Sequence, residues 1–258
     1  VGICLDRSFD LYASIIGVMK AGAAYVPLDP TYANEVLAHI IEDSSAKLVL
    51  TSAETQTVTK GTNCPSVCID EPDTAKALAS HKPTDISFEL DVEPTPDSLM
   101  YIMYTTGTSG KPKGVMIEHR GVVNHSFCMI EHFKLKPQDN VLQFITMNWD
   151  YFIEEVFPAF SCGAAISIIP AKDRMDVAKL RATITRSGVT FAKFPAAFWH
   201  RVAGESFTGL GLRAISIGGE EADIVKFRKW MEVNPTIPVI NTYGPTEATV
   251  TASVATLD

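Results

Sequence analysis

The spacing of apolar residues along this chain alternates between two patterns. Short apolar runs at residues 1–5, 23–28 and 47–51 predict buried strands. Between the first two runs, Leu11, Ile15 and Met19 recur at helical spacing and predict a helix over residues 9–20, which Ser8 is placed to cap. Further strands are predicted at residues 98–105, 115–117, 190–194, 212–217 and 239–241, and further helices at 34–43, 120–130, 177–186 and 224–231. This alternation predicts an α/β fold with mostly parallel β-sheets flanked by helices, whose ligands bind at the carboxyl ends of the strands.

One long segment breaks the alternation. Residues 81–97 contain Pro83, Pro94 and Pro96 among acidic residues, which predicts a surface connection and not a domain boundary. The chain has no initiator Met and begins within a predicted strand. We therefore expect residues 1–258 to form one partial domain, truncated at both ends.

Composition narrows the class of protein. The chain has 258 residues, 46% of them hydrophobic, which is enough to bury a substantial core. Its formal net charge of -8 and the lack of a basic cluster argue against a nucleic-acid partner. The most apolar stretch, residues 11–28, contains Lys20 and two glycines, so no membrane span is predicted. Five scattered cysteines are typical of reduced thiols in a cytoplasmic protein.

Residues 105–114, TTGTSGKPKG, have the composition of a phosphate-binding loop. Three glycines and four hydroxyl residues allow the backbone to fold around an anion, and Lys111 and Lys113 supply positive charge. Pro112 follows Lys111 where a Walker loop needs Ser or Thr and a helix, so the order excludes a P-loop NTPase. The alternative is a glycine-rich surface hairpin.

Four segments resemble a known family in order along the whole chain. They are residues 18–33 (VMKAGAAYVPLDPTYA), the loop 105–114 with its flanks YIMY and VMIEHRGVVNH, residues 218–223 (GGEEAD) and residues 241–250 (NTYGPTEATV). The segments are similar to motifs of the adenylate-forming, AMP-binding enzymes, most closely the adenylation domains of nonribosomal peptide synthetases. The resemblance implies the N-terminal core of such a domain, with the C-terminal subdomain absent.

The resemblance also implies how ATP and Mg²⁺ bind as cofactors. The implied phosphate-loop residues are Thr105, Thr106, Gly107, Thr108, Ser109, Gly110 and Lys113. The other implied nucleotide contacts are Gly219, Asn241, Thr242, Tyr243, Gly244 and Thr246, with Tyr243 stacked on adenine. Glu247 is the implied magnesium ligand, and Thr105, Lys113 and Glu247 are the implied catalytic residues. For Glu247 the alternative is a solvated surface charge.

The segment NWDYFIEEVFPAF, residues 148–160, resembles the family's amino-acid site. Asp150 occupies the place of the aspartate that meets the substrate's α-ammonium group, and its alternative role is that of a helix N-cap. The other implied substrate-binding residues are Tyr151, Glu154, Ala197, Ser216, Gly218, Thr242, Val250 and Thr251. An amino acid is therefore the expected substrate.

The resemblance implies different roles for Glu154 and Glu155. Glu155 is the acid that the family usually has at its place, whereas Glu154 replaces a common aromatic residue. A carboxylate in the pocket favours a substrate with a cationic side chain, such as ornithine or lysine. The alternative is that Glu154 faces solvent in the first turn of a helix.

The implied activity is ATP-dependent formation of an aminoacyl-adenylate. The implied partner is a phosphopantetheine-bearing peptidyl carrier domain in the same parent polypeptide. Family segments that hold the ribose and the reacting carboxylate are not in the sequence, so we expect residues 1–258 alone to adenylate slowly. Two alternatives stay open, namely an acyl- or aryl-CoA synthetase and a non-catalytic ATP-binding remnant.

Overall fold

The computed structural model describes residues 1–81, 93–105 and 111–257. It divides into two compact units, Val1–Arg120 and Gly121–Asp258. Most of the predicted surface connection and residues 106–110 of the predicted phosphate loop lie outside the described residues.

The first unit contains a parallel sheet and a separate hairpin. Its elements are β1 (Gly2–Cys4), α1 (Phe9–Lys20), β2 (Val26–Pro27), α2 (Asn34–Asp43), β3 (Val49–Thr51), a short 3-10 helix (Gln56–Thr59), β4 (Ser66–Cys68), α3 (Pro72–Ser80), β5 (Leu99–Thr105) and β6 (Lys113–Glu118). The parallel sheet has the order β2-β1-β3-β4, and β5 pairs with β6 in an antiparallel hairpin. The strands β1 and β3 and the helix α2 enclose an apolar core that includes Cys4, Leu37 and Val49.

Local sequence accounts for the first helix. Ser8 accepts a hydrogen bond from the backbone N–H of Leu11 at 3.3 Å, and Leu11, Tyr12, Ile15 and Val18 are buried. The cap satisfies one of the free N–H groups at the helix start, while the apolar face packs against the unit. The predicted bounds and cap of α1 are confirmed.

The second unit is built on one larger sheet. Its elements are α4 (His119–Phe133, which begins two residues before the unit boundary), β7 (Asn140–Gln143), α5 (Tyr151–Cys162), β8 (Ala165–Ile168), α6 (Val177–Ser187), β9 (Phe191–Pro195), α7 (Ala196–Val202), β10 (Ala214–Gly218), α8 (Ile224–Val233), β11 (Val239–Tyr243), a short 3-10 helix (Thr246–Ala248) and β12 (Ser253–Leu257). The sheet order is β12-β11-β10-β9-β7-β8, and every pairing is parallel except that of β11 with β12.

The register of this sheet sets the position of several polar side chains. Lys193 of β9 is paired with Ser216 of β10, and Gly218 of β10 is paired with Thr242 of β11. Paired residues of neighbouring strands point to the same face, and residues two apart do as well. These four residues therefore share the face of the sheet that α5 contacts.

The predicted mostly parallel α/β fold is confirmed, although the chain also contains elements that were not predicted. The additional strands and helices are β4, α3, β7, β8, α7 and β12. Each is short or mixed in composition: for example, β7 has only four residues and α3 buries none of its side chains.

Candidate active site

The helix α5 is attached to the sheet by a buried carboxylate. Glu155 accepts hydrogen bonds from the backbone N–H groups of Phe144 and Ile145, at 3.1 and 3.0 Å, and from the Gln143 side chain at 3.1 Å. These donors lie where β7 ends, so Glu155 satisfies backbone groups that no strand partner reaches. The loop that leads to Asp150 is therefore held at both of its ends.

Asp150 lies at the N-terminal boundary of α5 and is 3% exposed. Asp150 does occupy the N-cap position of α5, but its side chain makes no capping hydrogen bond. Burial raises the pKa of Asp150, while a hydrogen bond from Thr246 and the charge of Lys193 offset this only in part. Asp150 is thus a buried acid whose charge is incompletely compensated by the protein.

Glu154, one turn further along α5, is at the centre of a buried polar network. Its carboxylate contacts the ammonium of Lys193, the Nε2 of His125 at 3.1 Å and the hydroxyl of Thr251 at 2.5 Å. Burial acts to raise the pKa of Glu154, but Lys193 and His125 together lower it to about 2. The carboxylate is therefore ionised, and its charge is balanced inside the protein.

This network bears on two expectations about Glu154. The side chain is 0% exposed, so the alternative that it faces solvent is wrong. The expected cationic substrate stays a prediction, but the Glu154 carboxylate already contacts the Lys193 ammonium. A second cation would have to compete with a partner fixed in the sheet.

Lys193 is the residue that sequence reasoning missed. It is 1% exposed, donates to the Thr242 hydroxyl at 2.9 Å and lies 3.9 Å from the centre of the Tyr151 ring. Ala197, predicted to line the pocket, is exposed in the first turn of α7 and lies outside this network. A lysine within the apolar strand FAKFP was the available signal, because a buried lysine requires a partner.

A glycine pair ends β10 beneath the N-terminal end of α5. A Cβ on Gly218 would collide with the Tyr151 hydroxyl and lie 2.7 Å from the Thr242 hydroxyl oxygen. Gly219 has φ of +95°, and a Cβ there would lie 2.9 Å from the Trp149 ring. The space next to these two glycines is therefore occupied by side chains of the protein itself.

The turn between β11 and β12 contains the predicted adenine and magnesium residues. Tyr243 is 70% exposed, Thr246 is half-buried, and Glu247 is exposed in the short 3-10 helix. Gly244 lets the turn fold back on itself, since a Cβ there would lie 2.6 Å from the backbone nitrogen of Ala252. The side chains of Tyr243 and Glu247 are thereby presented to solvent.

The backbone after Glu247 adopts an unusual conformation. Thr249 and Val250 have φ of 59° and 73°, in the left-handed region that β-branched residues rarely occupy. Val250 is nevertheless fully buried, and the Ala252 N–H donates to the Tyr243 carbonyl at 2.9 Å. Backbone strain of this kind is concentrated at functional sites.

Of three further predicted residues, Thr242 and Ser216 lie on this sheet face, whereas Asn241 precedes Thr242 in β11 and points to the opposite face. Thr242 is buried and donates to the Ile217 carbonyl at 3.0 Å, while Ser216 is buried and Asn241 is half-buried. Among the described residues, the Ser216 Oγ and the Asn241 Oδ1 have no hydrogen-bond partner.

In the first unit, the stem of the predicted phosphate loop is well defined. Thr105 and Lys113 are partners at the end of the β5–β6 hairpin, and Lys113 is exposed. The Tyr104 hydroxyl donates to Asp43 of α2 at 2.6 Å, and the His39 ring of α2 lies 3.2 Å from the Pro112 carbonyl. Thr106, Gly107, Thr108, Ser109 and Gly110 lie outside the described residues.

Residues 1–81, 93–105 and 111–257 contain no group of three or more His, Cys, Asp or Glu residues placed to hold a metal ion. Within the same ranges, no helix is both long and apolar enough to cross a membrane.

Proteins built on a parallel α/β sheet bind their ligands at the carboxyl ends of the strands, which is where this chain has its glycine-containing turns. The chain belongs to the AMP-binding enzyme family, whose model matches residues 1–258. The predicted family and fold are thus confirmed.

The curated relatives are large synthases. One component of the linear gramicidin synthase of Brevibacillus parabrevis is 33% identical over 98% of this chain, which spans 3% of that relative. Surfactin synthase subunit 1 of Bacillus subtilis (strain 168) is 33% identical over 99% of this chain, which spans 7% of that relative.

Solved structures show the same core. A holo four-domain nonribosomal peptide synthetase bound to AMP and glycine superposes with a TM-score of 0.81 and 29% identity, over 100% of this chain and 18% of that one. The N-terminal subdomain of Klebsiella oxytoca NpsA superposes with a TM-score of 0.82 and 19% identity, over 99% of this chain and 62% of that one.

Proposed function

We propose that the protein containing this chain activates an amino acid with ATP, as an aminoacyl-adenylate, and transfers it to a phosphopantetheine-bearing carrier domain. In this reaction a carboxylate oxygen of the amino acid attacks the α-phosphorus of ATP, and the bond to pyrophosphate breaks. The family to which the chain belongs and its similarity to peptide synthases support the reaction class. The carrier domain is proposed from those relatives alone.

The observation that carries the amino-acid assignment is the environment of Asp150. It is a buried acid, its side chain makes no capping hydrogen bond, and its charge is only partly compensated. A buried carboxylate of this kind gains most from a cationic partner, and the α-ammonium group of an amino acid is such a partner. A fatty or aromatic acid has no amine to offer.

The proposed nucleotide contacts are assigned in each unit separately, to the β11–β12 turn of the second unit and to the loop stem of the first. Exposed Tyr243 offers a ring face for adenine, and Thr246 connects the turn to Asp150 by a hydrogen bond. Exposed Glu247 makes no ion pair among the described residues, which fits a Mg²⁺ that takes its other ligands from phosphate and water. Mg²⁺, when bound, would neutralise charge on the phosphates of ATP.

The sequence motif alone supports the proposed contacts with the phosphates, which involve Thr105, Lys113 and residues 106–110. Lys113 is exposed, as a phosphate-binding side chain must be before its ligand arrives. The hydrogen bonds from α2 to Tyr104 and to the Pro112 carbonyl hold both sides of the loop stem.

The test is amino-acid-dependent ATP–pyrophosphate exchange by the full-length protein, comparing wild type with Asp150→Asn. We expect kcat/KM for the amino acid to fall about 30-fold or more, since removing one partner of a buried charge pair costs about 2–5 kcal/mol. The KM for ATP should change less than about threefold, because the substitution keeps the side-chain shape and removes only its charge.

Asp176→Asn is the matched control, because Asp176 only caps α6 and asparagine also caps helices. Its exchange kinetics should equal those of wild type. Unchanged amino-acid kinetics in Asp150→Asn would refute the amine role, whereas activation of a fatty or aromatic acid that the substitution does not affect would favour an acyl- or aryl-CoA synthetase.

A further inference from the structure

The polar network around Glu154 contains more hydrogen-bonding capacity than the protein itself uses. Among the described residues, the Nδ1 of His125 and the Oγ of Ser216 are buried without a hydrogen-bond partner. His125 is 4% exposed and Ser216 is fully buried. Buried polar atoms of native proteins nearly always have a partner, so two in one network require an explanation.

Both atoms belong to the same part of the second unit. His125 of α4 contacts Glu154, which contacts Lys193, and Ser216 is the register partner of Lys193 on the neighbouring strand. Because paired residues of adjacent strands share a face, the Ser216 hydroxyl lies on the side of the sheet that Glu154 approaches. The two unpartnered atoms therefore flank one ion pair.

The charges of this group are balanced. Lys193 contributes one positive charge and Glu154 one negative charge, and the side chains of both are at most 1% exposed. A third ionised side chain beside them would be buried without a counter-charge, which costs several kcal/mol. The group is thus unfavourable to cations and anions alike.

The hydrogen-bonding character of the network is also defined. The ionised Glu154 is an acceptor, so the Nε2 of His125 donates to it, and the Nδ1 of His125 has no partner among the described residues. The Ser216 hydroxyl both donates and accepts. A hydroxyl or an amide can both donate and accept and so can pair with either atom, whereas a hydrocarbon side chain leaves both unsatisfied.

We infer that the Lys193–Glu154–His125 network, together with Ser216, selects an amino acid whose side chain is uncharged and bears a hydroxyl or an amide. This inference rests on the proposed function, since it presumes that Asp150 holds the α-ammonium group of the same molecule. It differs from the expectation of a cationic substrate. Lys193 and Glu154 act here as specificity-determining residues through their mutual neutralisation.

The experiment is ATP–pyrophosphate exchange by the full-length protein with four classes of amino acid. The classes are uncharged polar (serine, threonine, asparagine, glutamine), cationic (lysine, ornithine), anionic (aspartate, glutamate) and apolar (leucine, phenylalanine). We expect the highest kcat/KM for an uncharged polar amino acid, at least about 30-fold above that of every charged one. A charged side chain would be buried here without a partner, which costs about 2 kcal/mol or more.

Two variants make the test specific to charge balance. Lys193→Met leaves the Glu154 carboxylate unpaired, so the kcat/KM ratio of ornithine to the preferred substrate should rise at least about tenfold. Glu154→Gln leaves the Lys193 ammonium unpaired, and the corresponding ratio for aspartate or glutamate should rise. A purely structural ion pair would lower all activities without these opposite shifts.

Ser216→Ala removes only one oxygen and keeps the ion pair intact, so it serves if either charge variant fails to fold. It should raise the KM of the preferred amino acid at least about fivefold and leave the KM for ATP unchanged, since a lost hydrogen bond of about 1 kcal/mol or more acts on that substrate alone.

The outcomes distinguish a failure of the inferred substrate preference from a failure of amino-acid activation itself. Exchange that is best with lysine, ornithine, aspartate, glutamate, leucine or phenylalanine overturns the inference but leaves amino-acid activation standing. Charge variants that fold without shifting the preference, or an unaffected KM in Ser216→Ala, also overturn it. If no amino acid supports exchange, both the inference and the proposed function are wrong.

Discussion

Around α5, the polar side chains of the second unit are buried and bonded to one another, whereas Tyr243 and Glu247 at the β11–β12 turn face solvent. Glu154 and Lys193 have side chains that are at most 1% exposed, while Tyr243 is 70% exposed. The buried group has few ways to rearrange, because each charge has a fixed partner. The exposed group keeps its ring and carboxylate available for a ligand.

The difference assigns separate tasks to the two regions. A buried network whose ionised groups are already paired discriminates among substrate side chains, because a mismatched side chain leaves a buried polar or charged group without a partner. An exposed turn suits a ligand that brings its own charge and metal, such as Mg²⁺ with a nucleotide triphosphate. Substitutions in the first region should therefore change both folding stability and amino-acid preference, whereas those in the second should change ligand affinity with little effect on stability.

The largest effect on stability should come from Lys193→Met. Removal of one partner from a buried ion pair costs about 3–5 kcal/mol, because the other charge stays buried and unpaired. Urea unfolding followed by tryptophan fluorescence measures this change, since Trp149, Trp199 and Trp230 all lie in the second unit.

Lys229→Met is the matched control, since it breaks the exposed pair with Glu232, whose atoms lie 3.0 Å apart. Such surface pairs contribute about 0–1 kcal/mol. An equal loss of stability in the two variants would contradict the account of the buried network.

Acid should reveal the same ion pair. The pKa of Glu154 is lowered from 4.5 to about 2, so between these values the unfolded chain binds a proton that the folded chain does not. The stability that Glu154 contributes is complete above about pH 4.5 and is lost as the pH falls toward 2. In Glu154→Gln, the free energy of unfolding should vary less steeply with pH over this window, and identical slopes would argue against an ionised Glu154.

The helix α1 and the residue Lys193 show which parts of the fold and of the candidate site could be predicted from the sequence. The helix α1 depends on local features, a serine cap and apolar residues at helical spacing, and its bounds were predicted correctly. Lys193 and Glu154 are 39 residues apart, and only the packing of α5 on the sheet brings them together. Sequence placed Glu154 and Asp150 at the site by resemblance, but the charge balance depends on tertiary contacts that no local pattern contains.

A smaller loss of stability should follow Gly218→Ala. The added methyl group would collide with the Tyr151 hydroxyl and crowd Thr242, and such overpacking costs about 1–3 kcal/mol. Gly204→Ala is the control, because a Cβ there meets nothing within 4 Å. Thermal unfolding of both variants measures the difference, and equal midpoints would show that the approach of Tyr151 to Gly218 is not tight.

The smallest effect on stability, within about 0.5 kcal/mol, should come from Glu247→Gln in the exposed turn. Its effect on function should be large, because it removes the proposed carboxylate ligand of Mg²⁺. The Mg²⁺ concentration for half-maximal exchange should rise at least about tenfold. Loss of a residue that only hydrogen-bonds to a metal ligand already weakens metal binding by about 10–100-fold. An unchanged Mg²⁺ dependence would return Glu247 to the alternative of a solvated surface charge.

The central claim is that Asp150 recognises the α-ammonium group of an amino acid. The most direct measurement compares ATP–pyrophosphate exchange by the full-length protein with its preferred amino acid and with the same acid lacking the amino group. The account predicts that kcat/KM for the deaminated acid is lower by about 30-fold or more, the cost of leaving a buried carboxylate without its partner. Equal exchange with the two acids would contradict it.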